Sequence, residues 1–301
     1  LIKLNTSKCK VLTVNPKSNT KSQYSINTEN GSSILANVDL EKDLGVIVDN
    51  QLNFDNHISE IINKSNKILG VIKRNFKDLN NKTFSLLYKA VVRSHLEYAQ
   101  AVWSPYKLKH IDALEAVQRR ATRIPPGLRH LNYSERLKRL SLPTLTYRWA
   151  RGDMREVFKM MQDMYDAISC PLLTHNTYTA TRGHQLKLFK KACHTSVRGH
   201  YFTYRIVDMW NSLPVDVINA PSVNSFKNRL DKHWHDENFV FNYRANPNTV
   251  HRSQDYVCQW RNQDFASGVA ISIVQTLVRR SDLSLFKGIP SSLMQSLTYK
   301  G

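Results

Sequence analysis

The alternation of apolar and polar positions divides the chain into a short β region and a long helical region. Within the first 50 residues, β-branched runs predict short strands at residues 10–14 and 45–48, and Asn30-Gly31 and Asp49-Asn50 are typical turn sequences. From Asp55 onward, apolar residues recur at the i, i+3, i+4, i+7 spacing of amphipathic helices. The pattern therefore predicts a mainly α protein with a small N-terminal β region.

Capping residues and prolines mark the ends of the predicted helices. Asp55 is predicted to be the N-cap of the first helix, and Pro105 to end the second. Pro125-Pro126-Gly127 breaks the chain after the third helix, and Asn132 with Glu135 has the spacing of a capping box. The apolar stripes predict helices over residues 58–76, 84–103, 107–121, 132–140, 143–165, 202–213 and 222–234.

The later helices and the changes in pattern define the predicted domain organisation. Pro143 suits the first turn of the fifth helix, and Ser222 is the predicted cap of the last. Periodicity fades beyond about residue 242. The predicted segments are a β region at 1–54, a helical bundle at 55–166, a helical extension at 167–241 and a poorly ordered tail at 242–301.

The composition changes this picture by adding a strong positive charge. The chain of 301 residues contains 43 Lys and Arg against 24 Asp and Glu, a formal net charge of +19, and its 41% apolar content can support a buried core. Nucleic acid is the commonest partner of so basic a chain, and an anionic membrane surface is the second.

Other features of the sequence bear on compartment. No apolar run approaches the roughly 20 residues of a membrane helix, so we expect a soluble chain with no membrane partner. The four cysteines are far apart and include no CxxC, which indicates reduced thiols and an intracellular location, nuclear or cytoplasmic. No targeting signal is seen. Because the chain begins at Leu1, we expect it to be a piece of a longer reading frame.

Residues 119–155 are rich in basic side chains. They include ten Lys or Arg but only two acids, Glu135 and Asp153. A solvated helix face usually carries both signs of charge, and that interpretation stays open. The shortage of acids favours a surface that contacts phosphates, which would hold a nucleic-acid backbone without reading its sequence.

The spacing of the arginines supports the phosphate-contacting surface. Arg119, Arg120 and Arg123 lie about 140 to 240° around the third helix from Leu114, which is predicted to point inward. Like charges at i+3 and i+4 repel, so the cluster costs free energy unless an anion neutralises it. The same spacing recurs on the next two helices, and Arg129 lies near the Pro-Pro-Gly break. The predicted nucleic-acid-binding residues are Arg119, Arg120, Arg123, Arg129, Arg136, Arg139, Arg148, Arg151 and Arg155.

Several phrases stand in an order that points to one family. They are KDLGVIVDNQLNFDNHI, LEYAQAVWSP, LEAVQRRATR, PGLRHLNYSERLKRLSLPTL, RGDMREVFK and WNSLPVDVINAPSVNSFKNRLD. Over residues 1–237 the chain resembles the carboxy-terminal third of the reverse transcriptase of jockey-type non-LTR (LINE-like) retrotransposons. The resemblance implies an RNA-directed DNA polymerase with palm, fingers and thumb, an RNA template and a DNA primer as partners, and Mg²⁺ in the full-length parent.

The resemblance also implies roles for particular residues. Asn5 and Lys8 resemble the Asn-x-x-Lys motif, whose lysine lies near the leaving pyrophosphate in polymerases. Leu44, Gly45 and Val46 match the short motif that forms the primer grip. The helices of residues 55–166 would be the thumb, whose basic face packs along the template–primer backbone, and residues 1–54 a remnant of the palm.

The chain departs from the family pattern in ways that affect activity. It contains no Asp-Asp dipeptide and is expected to begin after the metal-binding Phe/Tyr-Ala-Asp-Asp turn, so we predict no cofactor in this chain and no polymerisation by it alone. Ser94 stands where the family has proline, and Trp149 where it has an arginine. Residues 243–301 match nothing in the family.

Two other interpretations remain open at this point. The chain could be a non-catalytic, basic helical module that holds RNA or an RNA–DNA hybrid through phosphates, or a genomic relic that is never made. The cysteines and histidines between residues 170 and 235 lack the paired spacing of a zinc site, and no glycine-rich phosphate loop occurs. No metal site is therefore predicted.

Overall fold

The structure, a computed structural model, describes residues 5, 8–14, 23–28, 31–76, 79–166, 170–176, 184–193 and 196–245. Within these ranges the protein is mainly α, as predicted. Most of the predicted tail at 242–301 lies outside the described residues. The helices are α1 (Asp55–Asn75), α2 (Asn81–Leu87), a π-helix (Tyr88–Arg93), α3 (Ser94–Glu97), α4 (Gln100–Trp103), α5 (Leu108–Ala121), α6 (Tyr133–Leu140), α7 (Leu145–Met161), α8 (Ser196–His200), α9 (Phe202–Asn211), α10 (Val215–Ile218), α11 (Val223–His233) and a 3₁₀ turn (Asn238–Val240).

Among the described residues, six short strands precede the helices and pair two by two. The predicted strands at residues 10–14 and 45–48 are present, although both are shorter or shifted by a residue or two. The last strand is buried: Val46 and Val48 lie in the same core as α1, and Ile47 on the other face is 8% exposed. The pairs are β1 (Lys10–Leu12) parallel to β4 (Ala36–Val38), β2 (Ser25–Thr28) antiparallel to β3 (Gly31–Ile34), and β5 (Leu40–Asp43) antiparallel to β6 (Val46–Asp49).

The start of α1 differs from the prediction that Asp55 is its N-cap. The cap residue is Phe54, whose φ of 58° is left-handed. The Asp49 carboxylate satisfies this turn by accepting the Phe54 N–H at 2.6 Å and the Asn53 N–H at 3.0 Å. Asp55 is therefore the first residue of the helix, and it accepts a hydrogen bond from Lys107 Nζ at 2.9 Å. This ion pair joins the N-terminal ends of α1 and α5.

The predicted helix over residues 84–103 is confirmed in part: the chain is helical without interruption from α2 through the π-helix to α3, and it breaks once, before α4. Ala99 adopts a left-handed φ of 50°, which interrupts the helix between α3 and α4. The break is held by Trp103, whose Nε1 donates to the Tyr98 carbonyl at 2.7 Å. The apolar stripe was correct nonetheless, since all four segments bury residues in one core.

The other predicted helix starts agree with the structure more closely. Asn132 and Glu135 form a reciprocal capping box, with hydrogen bonds of 2.9 and 3.0 Å. Ser222 caps α11 as predicted. Pro143, in contrast, lies before α7 and not in its first turn, because Thr144 is the cap and accepts the Tyr147 N–H at 3.1 Å.

Two hydrophobic cores meet along α7. One core contains β6, α1, the segments that follow it, α5 and α6, and the other contains α9, α10 and α11. Trp149 faces the first core and donates from Nε1 to the Leu96 carbonyl at 3.1 Å, whereas Met154 and Phe158 face the second. The tryptophans predicted to be core residues, Trp103, Trp210 and Trp234, are at most 2% exposed. Since α7 contributes residues to both cores, it fixes the positions of the basic residues around one core relative to those around the other.

Candidate nucleic-acid interface

The structure separates the predicted arginines into two groups. Within the described residues, six of them form no ion pair with a carboxylate, whereas the other three each have an acidic partner. The six lie on α5, on the loop that follows it and on α6. We call them the α5–α6 arginine cluster: Arg119, Arg120, Arg123, Arg129, Arg136 and Arg139.

Four members of the cluster are exposed to solvent. Arg120 donates from Nη1 to Asn66 Oδ1 of α1 at 2.6 Å, and Arg129 donates from Nε to the Arg123 carbonyl at 3.3 Å. Arg123 and Arg139 are exposed as well. These contacts are with uncharged groups, so the positive charges of the four guanidinium groups stay available to an anion.

The neighbouring helix α1 extends the basic surface. The Asp55–Lys107 pair and the Asn66–Arg120 pair show that α1 and α5 run parallel, since both pairs advance in the same direction. Lys73 lies about 20° from Asn66 around α1 and is exposed. A positively charged strip therefore continues from α5 onto α1.

Arg119 lies beside two tyrosine rings, those of Tyr133 and Tyr243, which meet edge to face at 6.5 Å. Its guanidinium carbon lies 5.5 Å from the Tyr133 ring centre and 5.3 Å from that of Tyr243, and its Nη2 donates to Tyr243 Oη at 2.7 Å. Arg136 lies 5.5 Å from the Tyr133 ring, and Arg244 lies 5.7 Å from the Tyr243 ring. Cation–π contacts of this kind are attractive. Together these contacts tie residues 243–245 to α5 and α6.

Arg136 is in the interior and not on the surface that its spacing predicted. It is 2% exposed, donates from Nε to Thr122 Oγ1 at 3.0 Å and from Nη1 to the Leu131 carbonyl at 2.6 Å, and leaves Nη2 without a partner. Burial, together with the charges of Arg123 and Arg119, lowers the pKa of Arg136. Arg136 therefore supports the loop that carries Arg123 and Arg129, and we do not assign it a phosphate.

A buried polar network beneath the cluster was missed by the sequence analysis. Glu115 is fully buried; it accepts the Tyr133 hydroxyl on Oε1 and the Leu145 N–H on Oε2 at 3.0 Å. Gln118 donates to the Pro143 carbonyl at 3.0 Å and accepts the Tyr88 hydroxyl at 2.8 Å. Burial raises the pKa of Glu115 to about 7, although these hydrogen bonds oppose the rise.

The contacts of this network fix the orientation of α5 and therefore the direction in which its arginines point. Glu115 and Gln118 connect α5 to the π-helix, to α6 and to the start of α7, so the orientation of α5 is fixed by polar contacts as well as by packing. One sequence signal could have found it: Glu115 directly follows the inward-pointing Leu114, which places a carboxylate at the edge of the buried stripe.

The three remaining predicted arginines are neutralised by acids. Arg148 binds both oxygens of Glu97, at 2.8 and 2.9 Å. Arg151 binds both oxygens of Asp231, with Nη2 at 2.7 Å, and Arg155 pairs with Glu156 at 2.8 Å. Glu97 and Asp231 are distant in sequence, so counting acids within residues 119–155 could not reveal them. Trp149, which lies between Arg148 and Arg151 in the sequence, is buried in the core.

The residues assigned to the primer grip form a tight hairpin turn. Asp43 pairs with Val46 across a two-residue turn in which Leu44 and Gly45 have φ values of 44° and 83°, as a type I′ turn requires. The Leu44 carbonyl accepts the hydroxyl of Tyr98 at 2.9 Å. Leu44 is 42% exposed, whereas Val46 is fully buried, so the turn presents Leu44 and the half-exposed Tyr98 to solvent.

The other expectations concern Lys8, metal ions and membranes. Lys8 is exposed, and its N–H donates to the Asn5 carbonyl at 3.1 Å, just before β1. In the part of the chain that the structure describes, no group of three or more His, Cys, Asp or Glu side chains could hold a metal ion. No described helix is long and apolar enough to cross a membrane.

Comparison of the chain with protein-family models, with curated proteins and with solved structures gives no match in any of the three. What remains to indicate a function is the α5–α6 arginine cluster together with the order of the sequence phrases.

Proposed function

We propose that this chain binds nucleic acid through the exposed part of the α5–α6 arginine cluster. The observation that carries the proposal is the contrast between Arg120, Arg123, Arg129 and Arg139, which have no acidic partner in the described residues, and Arg148, which binds Glu97 at two points. Unneutralised guanidinium groups on adjacent elements repel each other, and phosphates relieve that repulsion.

The chemistry of these contacts defines the class of ligand. Exposed arginines form bidentate hydrogen bonds with phosphate oxygens, and binding releases counterions from the nucleic acid. Contacts of this kind fix the position of a backbone and do not distinguish bases. The α1 strip with Lys73 lengthens the surface, which suits a polymer better than a small anion.

The resemblance to non-LTR reverse transcriptases gives this binding a more specific role. We propose that the helical region is thumb-like and holds the RNA–DNA template–primer for an RNA-directed DNA polymerase. The catalytic ions of such enzymes need several convergent carboxylates. The sequence contains no Asp-Asp dipeptide, and we propose that this chain alone does not add nucleotides. Nucleotide incorporation by this chain alone in a primer-extension assay would contradict that proposal.

The surface can be tested by removing charge without removing the fold. The triple variant Arg120→Gln, Arg123→Gln, Arg129→Gln changes only exposed side chains. We expect it to raise the Kd for a fluorescein-labelled RNA–DNA hybrid by about 10- to 100-fold in fluorescence anisotropy, because charge-assisted contacts to phosphate are lost.

A control of equal charge separates specific contacts from net charge. The triple variant Arg155→Gln, Arg229→Gln, Lys232→Gln removes the same three charges from α7 and α11. We expect it to change the Kd by no more than about three-fold, a residual effect of lower net charge. Equal weakening by both triple variants would show that only net charge matters and would overturn the proposed surface.

A further inference from the structure

A second group of basic residues lies around Glu97, where the π-helix and α3 meet α7. Arg148 binds both oxygens of Glu97, and Arg93 Nε lies 3.1 Å from Glu97 Oε1. Lys89 is on the π-helix, one turn before Arg93, and burial, together with the charges of Arg93 and Arg148, lowers its pKa. Arg151, one turn after Arg148, binds Asp231.

The positive charges in this group exceed the negative ones. Lys89, Arg93, Arg148 and Arg151 carry four positive charges, and Glu97 and Asp231 carry two negative charges, which leaves an excess of two. The side chains of Arg93, Arg148 and Arg151 are 14, 22 and 15% exposed. Partly buried charges are screened little by salt, so the excess is costly unless a ligand of opposite charge is bound.

The backbone beside Glu97 is also unusual, and this observation is independent of the charges. Residues Tyr88–Arg93 form a π-helix between two α-helical segments, and π-helical turns occur frequently at functional sites. The π-helix carries both Lys89 and Arg93. An unusual backbone and an uncompensated charge thus coincide at one point of the fold.

This group is separate from the α5–α6 arginine cluster. Thr146 of α7 donates to the Tyr243 carbonyl at 3.1 Å and so faces the cluster side, where Tyr243 contacts Arg119. Arg148 is two residues further along and lies about 200° around the same helix. A ligand at Glu97 therefore occupies a different side of α7.

We propose that Lys89, Arg93, Arg148 and Arg151 form a binding site for a dianionic phosphate group, such as a terminal phosphate monoester. Two negative charges match the excess of two, whereas a phosphodiester supplies only one. Lys89 and Arg93 would bind the oxyanion directly, and Glu97 would orient Arg93 and Arg148. The site does not depend on the proposed nucleic-acid surface.

The test measures the binding of a small phosphate monoester, phenyl phosphate, by isothermal titration calorimetry in magnesium-free buffer, at a pH well above its second pKa of about 6, where it is a dianion. Lys89→Gln removes one ligand that has no ion pair of its own, and we expect it to weaken binding about ten-fold or more. Lys82→Gln on α2 is the matched control and is expected to bind as the wild type does. Glu97→Gln keeps the shape but raises the excess charge to three, and we expect it to tighten binding several-fold.

The opposite directions expected for Lys89→Gln and Glu97→Gln distinguish a binding site from simple loss of structure, since unfolding would weaken both. A pair of oligonucleotides, one with a 5′-phosphate and one with a 5′-hydroxyl, then tests the source of the dianion: tighter binding of the phosphorylated one, lost in Lys89→Gln, supports a terminal phosphate. Absence of phenyl phosphate binding in the wild type, or equal affinity in the wild type, Lys89→Gln and Glu97→Gln, would overturn the proposal.

Discussion

Glu115 lies in an environment that disfavours its charged form. A fully buried carboxylate loses its hydration, and hydrogen bonds from Tyr133, the Leu145 N–H and Gln118, together with the charge of Arg119, compensate in part. Its pKa of about 7 lies above the ordinary value of 4.5. Glu115 therefore couples the geometry beneath the arginine cluster to pH.

The direction of that coupling follows from proton binding. Between about pH 4.5 and 7 the folded protein holds a proton on Glu115 that the unfolded chain releases. The contribution of Glu115 to stability is thus complete below pH 4.5 and is lost as the pH rises to 7. We expect the free energy of unfolding of the wild type, relative to Glu115→Gln, to fall by on the order of 3 kcal/mol from pH 4.5 to 8 in urea titrations.

His57 must be separated from this effect because it titrates in the opposite sense. Burial lowers its pKa to about 4, so its contribution is present above pH 6.5 and is lost as the pH falls through 4. His57 is the same in the wild type and in Glu115→Gln, so its effect cancels in the difference. A difference that stays constant from pH 4.5 to 8 would show that Glu115 is not the coupled group.

Arginines that are one helical turn apart lie in different environments in the folded chain. Arg136 and Arg139 are three residues apart on α6, yet Arg136 is 2% exposed and Arg139 lies at the surface. Helical periodicity predicts which residues share a face, but not whether another segment covers that face. The loop of residues 122–131 covers Arg136, and its path depends on tertiary contacts that a local pattern does not contain.

The stability of helix α6 depends more on its N-terminal cap than on its length. It has eight residues, too few to be stable alone, and Asn132 and Glu135 satisfy its first N–H groups. We expect Asn132→Ala to lower the free energy of unfolding by about 1 kcal/mol, measured by urea denaturation. Glu135→Gln should cost less, since Gln also completes a capping box. Equal losses of stability in the two variants would indicate that the hydrogen bond from the Asn132 N–H to Glu135 depends on the carboxylate charge, and would contradict its role as a cap.

Element starts and core stripes could be predicted from the sequence, whereas breaks within a helical stripe could not. The capping box at Asn132, the Ser222 cap and the buried Trp103 were all predicted because their signals lie within a few residues. The π-helix and the left-handed Ala99 preserve the apolar face while changing the backbone, so the periodicity did not show them.

At the scale of the whole molecule, the contacts of α7 determine which of its arginines are neutralised by acids. This helix brings Glu97 to Arg148, and Asp231 to Arg151, over separations of 51 and 80 residues. The arginines of the α5–α6 arginine cluster, in contrast, form no ion pair with an acid in the described residues. The fold thus determines which arginines are neutralised, which the composition alone could not show.

The dependence of hybrid binding on salt tests this account. Anisotropy titrations of a labelled RNA–DNA hybrid between 50 and 300 mM KCl, roughly the range in which counterion release is measurable, give the slope of log K against log salt. For the wild type we expect a slope of roughly −3 to −5, similar for two unrelated hybrid sequences, and a slope smaller by about 2 to 3 in magnitude for the Arg120, Arg123, Arg129 triple variant. A slope near zero, or one that the triple variant leaves unchanged, would contradict phosphate binding by the α5–α6 arginine cluster.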